Sequence, residues 1–195
     1  MDSAAGSRPE TMEVPFPAAK LGMWWFLASE IMVFGGALAS FILLRLVGQE
    51  WAGDIEHNNV LLGSINTLIL LTSSFTIVEV MAAQKAGDED KFGKYMKVTI
   101  GLGVLFLVIK GVEYSTHIHE GLLPDKSMFW AFYFGMTGLH ALHVIAGIIA
   151  NISLLVVVSK PGGLKRFGHR AEYCGLYWHF VDVVWIFLFP LLYLG

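Results

Sequence analysis

YWHFVDVVWIF, residues 177–187, is the stretch on which the fold turns. It is apolar enough to lie in hydrocarbon, yet His179 and Asp182 stand three residues apart within it. The apolar run extends from Tyr173 to Leu194, about the 20 residues a membrane-spanning helix needs. A charged Asp at the centre of such a helix costs about 2.5–3.5 kcal/mol on insertion scales. A chain that keeps Asp182 there must turn it away from lipid.

Four more runs of the same kind lie upstream: Leu21–Val47, Leu61–Ala83, Val98–Ser115 and Met128–Val158. They are continuous, which excludes the short alternating strands of a membrane β-barrel. Helices satisfy every backbone polar group without water, so the expected fold is an all-α integral membrane bundle of five spans over residues 21–195. Composition agrees. Of the 195 residues, 55% are hydrophobic and only 15% charged, against about a quarter charged in soluble domains; the mean hydropathy is +0.62. A net charge of −3 and the lack of a basic, aromatic-studded patch argue against nucleic acid. Cys174 is the single cysteine, so no internal disulfide forms, and it reads as a packing residue. Residues 1–20 lack the apolar core of a signal peptide and read as a polar tail ending in an interfacial Pro15-Phe16-Pro17 segment.

Charge sets the direction. Arg8 and Lys20 in the tail, Lys85, Lys91, Lys94 and Lys97 in the second connection, and Lys160, Lys165, Arg166 and Arg170 in the fourth lie on one side. Arg45 and Lys126 lie on the other. The bias predicts a cytoplasmic N-terminus and a periplasmic C-terminus. Trp24, Trp25, Trp130, Tyr177 and Tyr193 lie near span ends, where aromatic anchors are expected. Small residues such as Gly103 and Gly147 are expected where helices touch.

Glu30, Lys110, Glu113, His140, His143, His179 and Asp182 lie inside the spans. Four charges facing lipid would cost on the order of 10 kcal/mol, so they are expected to face the bundle, a partner or lipid headgroups. His140/His143, Lys110/Glu113 and His179/Asp182 are i,i+3 pairs, each on one helix face. Glu172, seven residues before His179, extends the last of these faces. Three uses stay open on the residues alone. Haem or metal ligation by the histidines has against it the absence of a zinc pattern or a Glu-x-x-His di-iron motif. Proton or ion movement has against it unbroken spans and no internal repeat. Cohesion between helices, with lipid headgroups or with a neighbouring subunit, needs neither. His117 and His119 read as solvated loop residues, and Pro190 is expected to bend the last span.

From Lys20 onward the chain resembles subunit III of the haem-copper cytochrome c oxidases, in a short five-helix bacterial form. The resemblance rests on KLGMWWFLASEIMVFGG with Glu30, SINTLILLTSSFT with Asn66 and Thr67, and GVEYSTHI with Glu113 and Tyr114. It continues through FYFGMTGLHALHVIAG with His140 and His143, then Glu172 and the closing YWHFVDVVWIFLF. That closing signature favours the cytochrome c branch over related subunits of quinol oxidases and nitric oxide reductases. The resemblance implies an accessory, non-catalytic subunit of a proton-translocating oxidase in the bacterial inner membrane, with no catalytic residue and no metal of its own. Haem and copper would reside in partner subunits. The chain would hold structural phospholipids, pack mainly on subunit I beside subunit II and a small subunit IV, and support proton uptake and oxygen access. Glu30 would be a buried carboxyl facing subunit I. Asn66, Lys110, Glu113, His140, His143, Glu172, His179 and Asp182 would make polar contacts within the bundle or to lipid headgroups.

Overall fold

A computed structural model describes residues 18–48 and 51–194; most of the expected polar tail, including Arg8 and Pro15-Phe16-Pro17, lies outside the described residues. Five helices are long and apolar enough to cross a membrane. They are α1 (Ala18–Leu46), α3 (Val60–Ala86), α4 (Glu89–His119), α5 (Met128–Val158) and α7 (Ala171–Phe189). Two short helices join them, α2 (Ala52–Ile55) after α1 and α6 (Gly163–Phe167) before α7. A 3₁₀ turn, Gly168–Arg170, links α6 to α7.

The third span differs most from its expected bounds. The apolar run begins at Val98, but the helix begins nine residues earlier, at Glu89. Asp88 caps it, its carboxylate accepting the Lys91 N–H at 2.9 Å, and Glu89 and Asp90 in the first turn suit the positive end of the helix dipole. That backbone hydrogen bond holds the exposed Asp88 carboxyl below its ordinary range. Hydropathy marks where a helix enters lipid, while caps mark where it starts. Lys91, Lys94 and Lys97 therefore stand on a helical extension, and the connection from α3 is only Gly87 and Asp88. Gly87 closes α3 in the left-handed region at φ +71°, which only glycine adopts without strain. At the other end of the chain, Pro190 lacks the N–H that would continue α7, and the chain goes on as one π-helical turn, Pro190–Leu194.

Helices α3 and α4 form a tight antiparallel hairpin, α7 lies between α3 and α5, α4 also touches α5, and α1 joins the bundle along α5 and α7. Trp178 of α7 is the centrepiece. Its indole is fully buried and its Nε1–H donates to Ser73 Oγ of α3 at 3.0 Å. A Cβ added to Gly103 of α4 would lie 2.7 Å from this ring, and one on Gly147 of α5 would lie 2.8 Å from it. Those two glycines are what let three helices close on one indole.

The pattern of exposure is inverted relative to a soluble protein. Leu43, Leu61, Phe75 and Leu142 point outward with more than half of their surface exposed, while Lys110, Glu113 and Asp182 are buried. Outward apolar faces and inward charges are what a lipid solvent demands. The chain is a multi-pass membrane protein.

Two expectations from sequence fail here. Trp24 and Trp25 are exposed as interface anchors should be, but Trp130 is fully buried and Tyr193 is 2% exposed. Their polar atoms reach inward, to Asp54 and Glu113 respectively. His117 is likewise no solvated loop residue; it lies in the last turn of α4, 2% exposed, edge-on to Trp130 and Tyr133.

Candidate functional site

The buried polar residues fall into three groups, each tying different helices. The first lies toward the α2 end. Lys110 and Glu113 are one turn apart on α4, and Lys110 Nζ donates to Glu113 Oε2 at 3.0 Å. The ammonium has two further protons, and they go to Tyr193 OH at 2.7 Å and Tyr133 OH at 3.2 Å. Both phenols in turn donate to Glu113 Oε1, from 2.8 Å for Tyr133 and 2.5 Å for Tyr193. Every donor of the ammonium and both carboxylate oxygens are thereby used. The Tyr133–Tyr193 oxygen contact at 3.3 Å then has no proton left to share. The rings of Tyr114, Tyr133, Trp185 and Tyr193 surround the ammonium with centroids 5.1–5.4 Å away, within cation–π range. The cluster joins α4, α5, α7 and the terminal π turn, and its charges cancel locally.

The expected local Lys110–Glu113 pair is present, whereas the roles of Tyr133 and Tyr193 were missed in the sequence. The signal that could have found them is donor arithmetic. One carboxylate leaves a buried ammonium with free donors, so other oxygens must lie at the same depth.

The second group anchors α1. Glu30 Oε2 lies 3.1 Å from His143 Nε2 of α5, and His143 Nδ1 lies 2.8 Å from the carbonyl of Leu139. A backbone carbonyl can only accept, so Nδ1–H donates there. The Nε2 contact then requires a second proton, on the imidazole or on the carboxyl. Tyr177 of α7 donates to the His143 carbonyl at 3.0 Å, and Phe34 packs edge-on to the imidazole. Glu30 thus turns into the bundle, toward α5, with 18% of its side chain exposed.

The third group follows the α3–α7 seam. His179 Nδ1 shares a hydrogen bond with Ser74 Oγ at 2.7 Å, and Trp185 Nε1–H donates to Thr67 Oγ1 at 3.0 Å. One turn from His179, Asp182 is 3% exposed, and neither of its oxygens has a hydrogen-bond partner among the described residues. The expected His179–Asp182 polar pair is therefore split: one member is bonded to α3 and the other stands alone. Asn66 and His140 are also buried without a polar partner among the described residues; the His140 ring instead lies against Phe106 and Trp185.

Glu172 stands in the first turn of α7. It is 54% exposed and forms a surface ion pair with Lys20, 2.7 Å apart, linking the start of α7 to the start of α1.

Beside these groups, an apolar cleft of about 520 Å³ separates α1 from α7. Trp24, Phe34, Phe180 and Phe187 line it, and His179 is the one ionisable side chain in its wall. Among the described residues, no three His, Cys, Asp or Glu side chains converge as a metal-ligand set.

The chain matches the family model described as cytochrome c oxidase subunit III over residues 9–195. It is 37% identical to cytochrome c oxidase subunit 3 of Thermostichus vulcanus, across 89% of this chain and 86% of that one. It is 34% identical to the protein of the same name from Corynebacterium diphtheriae, across 98% and 95%. Quinol oxidase subunit 3 of Bacillus spizizenii is 34% identical, across 89% and 85%. These five apolar spans, with their inward carboxylates and histidines, thus belong to a chain that is a member of the cytochrome c oxidase subunit III family.

Proposed function

We propose that this chain is the accessory subunit III of a bacterial haem-copper oxidase, assembled chiefly on subunit I, beside subunit II and a small subunit IV, in the inner membrane. It carries no haem, copper or catalytic residue of its own. Its work is cohesion: it holds helices, structural phospholipids and the redox-active neighbour together, and so sustains proton uptake and oxygen access there. The N-terminus is cytoplasmic and the C-terminus periplasmic. Among the described residues, nine basic side chains at the α6 end of the spans against two at the α2 end support that direction.

The observation that carries the reading is the Lys110–Glu113–Tyr133–Tyr193 cluster. An ion path or a redox site needs a group left open to a ligand, a proton donor or water. Here the strongest charges of the spans consume one another's hydrogen-bonding capacity. The test is deletion of the chain in its host. The membranes should keep the visible haem bands of the oxidase while the enzyme loses subunit contacts and working lifetime. Loss of haem absorbance in a fully assembled remainder would contradict it.

A second reading concerns the electron donor. The quinol oxidase relative from Bacillus spizizenii and the cytochrome c oxidase relative from Corynebacterium diphtheriae are equally similar, at 34% identity each. The closing YWHFVDVVW signature favours cytochrome c. Purified oxidase given reduced cytochrome c in one assay and a quinol in another decides between them.

A further inference from the structure

The cleft between α1 and α7 runs from Trp24 to Leu38 on one wall and from Leu176 to Phe187 on the other. At about 1.5 Å per residue its walls are about 16–21 Å long. Trp24, Ile31 and Phe187 keep more than half of their surface exposed, so the cleft opens sideways to hydrocarbon, while Leu27 and Phe34 are buried at its floor. His179 interrupts the apolar wall. Its Nδ1 is held 2.7 Å from Ser74 Oγ, whereas its Nε2 has no hydrogen-bond partner among the described residues and is not enclosed by protein. His179 stands three residues from Leu176, at the end of the cleft nearer the exposed Lys20–Glu172 pair. Beyond it and Trp24, the walls carry no polar side chain. The cleft is therefore itself amphipathic, with a small polar end toward the surface and a long apolar end toward the bilayer centre.

We propose that this cleft binds a neutral polycyclic alcohol of the sterol type, with its single hydroxyl on His179 Nε2 and its ring system lying along α1 and α7. Nε2 carries a proton when Ser74 donates to Nδ1, and is an acceptor when Nδ1–H donates to Ser74. A hydroxyl both donates and accepts, so it completes either tautomer. Charge excludes a phospholipid headgroup. The lining holds no Lys, Arg, Asp or Glu, and His179 lies seven residues, about 10 Å, inward of Glu172. A phosphate or an ammonium drawn to that depth would meet no counter-charge. One hydroxyl finds a partner there, and the rest of the ligand has no polar atom to strand against apolar walls. Rigidity separates a polycycle from a straight-chain alcohol, because fused rings have few rotors to freeze between Trp24, Phe34, Phe180 and Phe187. The volume of about 520 Å³ is that of a small-molecule pocket, which commonly spans about 300–1,000 Å³. The site rests on the geometry of the bundle and not on the assignment to an oxidase.

The experiment uses the full-length chain with its co-purifying subunits in phosphatidylcholine nanodiscs that carry a diazirine-bearing cholesterol, with photolabelled peptides of this chain identified by mass spectrometry. Label should fall on the cleft faces of α1 and α7. Cholesterol should displace it, while cholestane, the same ring system without the hydroxyl, should need about tenfold more, the worth of one hydrogen bond in an apolar site. Hexadecanol, a hydroxyl without rings, should also compete more weakly than cholesterol. Absence of label from the cleft, or displacement by cholestane or hexadecanol as effective as that by cholesterol, overturns the proposal. His179→Phe should abolish the preference for cholesterol over cholestane, and Ala28→Trp, which fills the cleft from α1, should abolish the label. An unchanged preference in the first variant or unchanged label in the second overturns it as well. Should the variants fail to assemble, the competition on the wild type decides alone.

Discussion

Replacing Glu113 by Leu would leave the Lys110 ammonium buried, 3% exposed, with two phenols and no counter-charge. Removing one member of a buried pair costs about 3–5 kcal/mol. The two single substitutions should not be equal. Lys110→Met leaves a carboxylate that still accepts from Tyr133 and Tyr193, so its cost should lie near 3 kcal/mol. Glu113→Leu strips the ammonium of its anionic partner and both phenols of their acceptor, so its cost should lie near 5 kcal/mol. The double variant Lys110→Met/Glu113→Leu removes both charges from a site already walled by four aromatic rings. Apolar replacement of a whole buried pair is often neutral, so the double variant should cost no more than Glu113→Leu alone, which makes the coupling at least about 3 kcal/mol. The assay is equilibrium unfolding of the purified chain in mixed micelles of mild detergent and dodecyl sulfate, followed by tryptophan fluorescence. Additive losses in the double variant would refute the reasoning, because they would mean that Lys110 and Glu113 do not stabilise one another.

Gly147→Val should cost about 1–3 kcal/mol in the same titration, since its side chain meets the clamped Trp178 ring at contact shorter than van der Waals distance; a neutral result would show that Trp178 has room to move. Asp182→Asn should change stability by less than about 1 kcal/mol, because neither carboxylate oxygen makes a hydrogen bond for the amide to lose; a loss several times larger would expose a charged partner. Asp88, whose carboxyl is held low by the Lys91 N–H, should support the start of α4 fully above the ordinary Asp range and lose that support as pH falls through its lowered folded value. Hydrogen exchange at the Lys91 amide reads this out, and Asp88→Asn should remove the pH dependence while keeping the cap.

Much of this architecture could be read from the residues, and the shortfalls have physical causes. The spans were legible because hydrocarbon sets their length and excludes charge, and the fourth, Met128–Val158, has the bounds that hydropathy sets. Val98 was a poor start for α4 because a cap at Asp88 and an acidic first turn carry a helix beyond the apolar zone. Helical spacing correctly joined Lys110 to Glu113, which are neighbours on one helix. It could not supply Tyr133, which comes from α5, or Tyr193, which reaches the cluster from the π turn after Pro190. The same limit applies to His179 and Asp182. Sharing a helix face made them look like partners, but the groups opposite them on α3 decide their bonds, and Ser74 meets the histidine. Glu30 was legible as a carboxyl with a reason to avoid lipid; that its partner is His143, 113 positions away, is tertiary information.

The central claim is that the ionisable groups of these spans bind helices, lipids and a neighbouring subunit to one another and hold no redox centre. Haem extraction and elemental analysis of the chain, separated from its co-purifying subunits without denaturation, test it most directly. The account predicts no Soret band and neither iron nor copper in stoichiometric amount. One equivalent of either metal, lost on replacing His140, His143 or His179, would contradict it.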